Sequence, residues 1–172
     1  YATPIVEKPK EGSNDVERKV NYDYTSAIYF DDLENAFEIG RRAALDADAK
    51  LGAVTPKTAE MPIVLDPAAA SAFFGKALSA LNGAAVYRGT TFLKDKMGQQ
   101  IFASNITITD DPTIKRSSRS MTTDPAGLEA KPLKFVENGI LKLFNVNLEE
   151  GRKLGLEPIG REGGYTNVIV EG

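Results

Sequence analysis

The amino-acid sequence predicts an α+β fold, with a mixed or largely antiparallel sheet packed against two main helices. Three observations carry this expectation. Apolar residues recur at helical spacing across Asp31–Leu51 and again across Pro67–Leu81. Asn138-Gly139 lies between two apolar runs, a pair suited to the positive φ angles of a tight hairpin. Ile106 and Ile108 alternate with Thr107 and Thr109, as in a strand with one apolar and one hydroxylic face. Residues 1–19, polar and carrying Pro4, Pro9 and Gly12, read as a linker or irregular arm. Residues 20–172 read as one α+β domain region, part of a longer protein.

Tyr22 to Phe30 has high β-propensity, and Tyr22 and Tyr24 would share a face. Those rings read either as core or edge packing or as an aromatic wall of a peptide groove. Asp31 or Asp32 is the expected cap of the first helix, with Glu34 completing a capping box after Asp31. Its stripe would run Leu33, Phe37, Gly40, Ala44, Ala47 and Leu51, with Gly40 permitting close approach and Gly52 closing the helix. Thr55–Glu60 is a polar connection, and Pro62–Leu65 a short buried strand candidate.

Asp66-Pro67 places a capping side chain and a proline at the start of the second helix. Ala70, Phe73, Phe74, Ala77, Leu78 and Leu81 form its stripe, and Asn82-Gly83 would end it. Phe92–Met97 is expected to add a turn or two of helix, and Gln100–Thr109 to be extended. Asp110-Asp111-Pro112 reads as a solvated turn, and residues 115–127 as a long exposed loop. Leu133–Val136 and Leu141–Phe144 are the hairpin strands. Asn147 with Glu150 forms a capping box for a short helix ending at Gly155. The Gly-rich run Gly160–Gly164 then precedes an extended Thr166–Val170.

Composition removes whole classes of chemistry. There is no Cys, so no disulfide, thiolate nucleophile or Cys-ligated zinc. There is no His, so no His-based triad and no imidazole ligand. A net charge of −3 argues against general polyanion binding, and no apolar run is long enough to span a bilayer. The chain opens on YATPIV without Met or a signal peptide and stops just after an apolar strand. Both ends are expected to be cut ends.

Asp110, Asp111 and Asp124 are the acid/base candidates, but their spacing matches no calcium loop. Lys115, Arg116 and Arg119, interleaved with Ser and Thr, would dock a carboxylate or phosphate if they are more than a charged surface. Ser79 or Ser104 paired with a distant Lys is a weak nucleophile candidate. Gly160–Gly164 lacks the Lys-Ser or Lys-Thr of a phosphate loop, since Tyr165 follows. It reads as a turn, or as backbone available for pairing with a peptide strand.

Several motifs occur in a familiar order. They are Thr25-Ser26-Ala27 before Asp32-Leu33-Glu34, Gly40-Arg41-Arg42-Ala43-Ala44, and the long run Gly83–Gly98. Ile106–Pro112 and Val136–Lys142 follow. Together they resemble the TldD/PmbA family, which also carries the description "putative modulator of DNA gyrase". The resemblance runs from about Ser13 to Gly172. It implies the central fragment of a larger architecture, in a cytoplasmic two-subunit protease acting on unfolded or peptide substrates. TldD-type subunits carry a metal-binding helix with two His and a Glu. The counterpart by position, Ala70–Leu81, has neither.

The chain therefore looks like the PmbA (TldE) branch, which lacks the metal motif. The resemblance implies a non-catalytic, peptide-binding or cavity-forming partner of a TldD-like subunit. No catalytic residue, metal or other cofactor is expected. The family's Asp-x-Glu-Gly is here Asp124-Pro125-Ala126-Gly127, and its Thr-Gly is Ile159-Gly160. The expected peptide or partner contacts are Arg116, Arg119, Asp124, Gly127, Gly160, Gly163, Gly164, Tyr165 and Asn167. Two rivals stand beside this reading: a metal-independent hydrolase using carboxylate or Ser chemistry, and a self-associating structural protein, a homo-oligomer. No recognition helix or basic stripe supports nucleic-acid binding.

Overall fold

The computed structural model describes residues 1–10, 12 and 14–172. Glu11 and Ser13, in the expected arm and at the start of the resemblance, lie outside the described residues. The chain divides into two units, Tyr1–Pro62 and Ile63–Gly172. The sequence reading places a single domain region at 20–172.

In the first unit, β1 (Ile5–Pro9) and β2 (Val16–Val20) form an antiparallel pair where an irregular arm was expected. Ile5 stands opposite Val20, a β-branched pair, and Pro9 opposite Val16, so apolar residues face one another at both ends of the ladder despite the polar composition. Tyr22–Phe30 makes no continuous strand. Only Asp23 bridges back, to Ala2, and Phe30–Asp32 forms a turn of 3-10 helix. The Tyr22 and Tyr24 rings do share a face, stacked with centroids 6.4 Å apart, but both are exposed rather than core.

Helix α1 spans Ala36–Asp48 and starts later than the sequence reading has it. Asn35 is the cap, its Oδ1 accepting the Phe37 N–H at 2.8 Å. Glu34 is committed elsewhere: its carboxylate accepts from Arg42 (2.8 Å) and its N–H donates to Thr25 Oγ1 (3.2 Å). The buried face is Ile39, Ala43 and Ala47 rather than the expected stripe through Phe37, which is exposed. Nothing approaches Gly40 closely. Gly52 lies beyond the helix end, where its N–H donates to Glu17 (3.0 Å).

The second unit carries an antiparallel sheet of order β5-β4-β3-β6, confirming the α+β class. Its strands are β3 (Thr107–Asp110), β4 (Leu133–Glu137), β5 (Ile140–Leu141) and β6 (Val168–Glu171). Asn138 and Gly139, at φ 50° and 78°, turn the β4–β5 hairpin as their chemistry dictates. Helix α2 (Pro67–Ala80) is capped by Asp66, with Pro67 in its first turn. Leu78 and Leu81 at its end join Val86, Leu93, Ile108, Phe135, Val136, Leu141, Phe144 and Val146 in one apolar core.

Asn82-Gly83 does more than stop α2. Asn82 caps a further short helix, α3 (Gly83–Arg88), by accepting the Ala84 N–H at 3.0 Å. Helix α4 (Leu148–Leu154) has the Asn147–Glu150 capping box complete and Gly155 in the left-handed region. Two expected elements do not form. Pro62–Leu65 has no partner strand and stays exposed, Val64 at 98%. Phe92–Met97 makes turns only. Hydrophobicity marked both segments, but a ladder or a packed face has to be supplied by another element. No helix among the described residues is long and apolar enough to cross a membrane.

Candidate functional site

Two loops that are distant in sequence are sewn together in the second unit. Asp110, the last residue of β3, is fully buried and pairs with the equally buried Arg161 from the Gly-rich loop. Arg161 also donates to the carbonyls of Gly160 (2.9 Å), Lys131 (2.6 Å) and Asp110 (3.3 Å). The other Asp110 oxygen accepts from the Thr166 N–H (2.9 Å) and hydroxyl (2.8 Å). The expected solvated turn at Asp110 is thus a buried charge pair with its remaining hydrogen bonds satisfied, the condition under which such a pair survives desolvation. Nothing in the sequence reading singled out Arg161. The signal available was a cation embedded between Gly160 and Gly163-Gly164, with aspartates closing an apolar strand.

Asp124 is also turned inward. Its Oδ1 accepts from the N–H groups of Ala126 (3.0 Å) and Leu128 (2.9 Å), and its Oδ2 from Glu162 (2.9 Å). Asp110 and Asp124 therefore act as structural acceptors, and neither offers an oxygen free for acid/base work. Asp111 is pulled below the ordinary carboxylate range by the Thr113 hydroxyl and N–H. Asn167 ties the same loops: its Nδ2 donates to the Asp111 carbonyl (2.7 Å) and Ser120 Oγ (2.9 Å), and its Oδ1 accepts from Ser117. The long loop 115–127 is thus pinned at several points.

A Cβ at Gly160, which has φ 67°, would fall 2.3 Å from the Glu129 carbonyl oxygen. Only glycine fits between the two loops there. Gly127 and Gly163 are exposed turn residues with positive φ. Arg116, at φ 65°, lines a separate hollow with Lys115 and Glu129. The structure therefore separates Arg116 from Arg119.

Arg119, Gly164 and Tyr165 do come together, along α2. A groove of about 780 Å³ runs between α2 and the outer strand β6. Ala70, Ser71, Phe74, Gly75 and Leu78 line one wall, Val168 and Val170 the other, with Arg119 and Tyr165 beside them. A second cavity of about 480 Å³ continues past Gly75, Leu78 and Tyr165 to Asn82, Arg88, Asn145 and Gly164. Tyr165 divides the two. Its hydroxyl donates to the Leu78 carbonyl (3.0 Å) and its ring packs edge-on against Phe135, 5.0 Å between centroids. Burial, with a smaller effect from the Asp110 charge, pushes its phenol well above the ordinary value.

Residues 58–172 match the family model of the PmbA/TldA metallopeptidase C-terminal domain. A PmbA homologue of Haemophilus influenzae, named a metalloprotease, is 29% identical over 88% of this chain and 34% of its own length. Metalloprotease PmbA of Escherichia coli O157:H7 is 30% identical over 94% of this chain and 36% of its own length. The crystal structure of a "putative modulator of DNA gyrase" from Bacteroides thetaiotaomicron superposes with a TM-score of 0.86. It is 26% identical and covered over 37% of its length by 98% of this chain. The present chain thus spans about a third of the length of the curated relatives it matches, 34% and 36% for these two.

Proposed function

The chain belongs to the PmbA/TldD metallopeptidase family, and from that membership we propose that it serves proteolysis without cutting. In this reading it binds a peptide in the α2–β6 groove and helps close the cavity of a TldD-type catalytic partner. The observation that carries the reading is the groove wall itself. Helix α2 presents Pro67, Ala70, Ser71, Phe74, Gly75 and Leu78 to the groove. A helix-borne peptidase zinc needs two ligands one turn apart on one face and a carboxylate base beside them. Ser71 and Gly75 have that spacing and neither chemistry. The chain has no His or Cys, and the described residues hold no cluster of His, Cys, Asp or Glu that could ligate a metal. The residues present do not fit a peptidase metal.

The groove is nonetheless apolar with a few convergent polar groups, as ligand sites are. Its outer strand β6 pairs only with β3 among the described residues, leaving an edge to which an extended peptide can add. The rival reading, carboxylate hydrolysis, loses its reagents because the Asp110 and Asp124 oxygens are occupied.

The test compares this chain, a TldD-type metalloprotease subunit, and their mixture, by native mass spectrometry, zinc analysis and cleavage of an unfolded polypeptide. The expected result is a joint complex, with no cleavage and no stoichiometric zinc for this chain alone. Stoichiometric zinc together with cleavage by the isolated chain would overturn the reading.

A further inference from the structure

We infer that the groove selects acidic peptide segments, holding carboxylates on Arg119 in one compartment and Arg88 in the other. This rests on the reading of the groove as a peptide site and deepens it. The argument is one of charge placement. Acidic residues outnumber basic ones in the chain, 24 to 21, yet no Asp or Glu lines either compartment. The charged side chains that do line them are Arg119 and Arg88.

Neither guanidinium makes a salt bridge among the described residues. Arg119 donates to a single groove acceptor, the Tyr165 carbonyl at 3.3 Å, which leaves most of its fork free. Three arginines of the first unit are neutralised by carboxylates: Arg18 by Glu7, Arg41 by Glu38, and Arg42 by Asp23 and Glu34. The two groove cations have no such carboxylate partner among the described residues. Between them the wall is apolar or neutral, from Phe74 and Leu78 to Ser79, Asn82 and Asn145. Tyr165 cannot compete for the ligand, because its hydroxyl is spent on Leu78.

The complementary ligand is an extended peptide with an acidic side chain near each end and apolar residues between them. Both arginines are exposed, so the pairing is fork-on-carboxylate at a wet rim. Such pairing contributes selectivity and salt dependence more than affinity.

Isothermal titration calorimetry on the full chain tests this, using end-capped apolar peptides that carry either two Asp or two Asn at several spacings. The Asp peptides should bind about tenfold tighter at low salt and lose that advantage as salt rises. Arg119→Gln and Arg88→Gln should each weaken Asp-peptide binding about threefold and leave Asn-peptide binding unchanged. The surface control Arg152→Gln on α4 should change neither. Equal binding of Asp and Asn peptides overturns the inference and leaves the peptide-site reading standing. Absence of binding by either overturns both. Equal weakening by Arg152→Gln reduces the effect to general charge and also overturns the inference.

Discussion

In the first unit the half-buried residues of β2 are Glu17 and Lys19, while Ile5, Val16 and Val20 face outward. In the second, Phe135, Val136, Ile108 and Leu141 are wholly buried, and the most buried polar groups are the paired Asp110 and Arg161. The first unit is fastened mainly by exposed polar contacts. Arg42 reaches Asp23 and Glu34, Lys50 reaches Asn21, and the Gly52 N–H reaches Glu17. Its buried apolar set is Ile39, Ala43 and Ala47. Exposed ion pairs stabilise weakly and are screened, whereas buried apolar volume and a satisfied buried pair are costly to disturb. The difference locates rigidity where the groove is: the loops that carry Arg119 and Tyr165 hang from the second unit's core and its buried pair.

The sharpest way to break that comparison is Asp110→Ala, which strands the Arg161 charge in the interior and releases Thr166. It should cost the second unit about 5 kcal/mol, read by urea unfolding. Adding Arg161→Met should restore much of the loss, because the orphaned charge goes with it. A single-variant cost below about 1 kcal/mol would mean that the pair does not hold the loops together. Next in size, Phe135→Ala should cost about 4 kcal/mol, while Ile39→Val in the first unit should cost about 1 kcal/mol. Comparable losses from the two would erase the contrast.

The smallest effect is the one that tells the units apart by pH. Asp23 lies below its ordinary 3.8 because Arg42 donates to it, and Glu17 below its ordinary 4.5 because Gly52 N–H and then Lys19 do. Stabilisation from both is complete above those ordinary values and is lost as pH falls through the lowered ones. Tyr165 moves the other way. Its contribution is whole below its ordinary 10.0 and is lost as pH rises through the raised value. Asp111, Glu137 and Glu149 of the second unit are lowered too, so acid weakens both units, whereas hydrogen exchange resolved by peptide should show alkaline loosening first around Tyr165. Alkaline loosening that begins in Tyr1–Pro62 would refute the assignment.

Much of this was legible in the sequence because the governing interactions are local. The Asn147–Glu150 box, the Asp66-Pro67 start and the Asn138-Gly139 turn each involve groups within a few residues of one another. The family resemblance rested on similarly short motifs. The arm expected over residues 1–19 instead contains two paired strands, because that pairing depends on register between the strands rather than on apolar composition. Of the expected contact residues, Arg119, Gly164 and Tyr165 reach the groove or its continuation, whereas Asp124 and Gly160 are packed between loops. Arg88 was not singled out at all, because its importance lies in what faces it.

The sequence by itself determined the α+β class, the caps, the hairpin and the absence of imidazole and thiolate chemistry, since each follows from residue type and near-neighbour spacing. Only the tertiary structure decided that Asp110 meets Arg161 fifty-one residues away, and that α2 and β6 enclose a groove bounded by unpaired arginines. Burial and charge pairing are properties of surfaces brought together across the chain. No local pattern encodes which aspartate will be hidden or which arginine will be left without a partner.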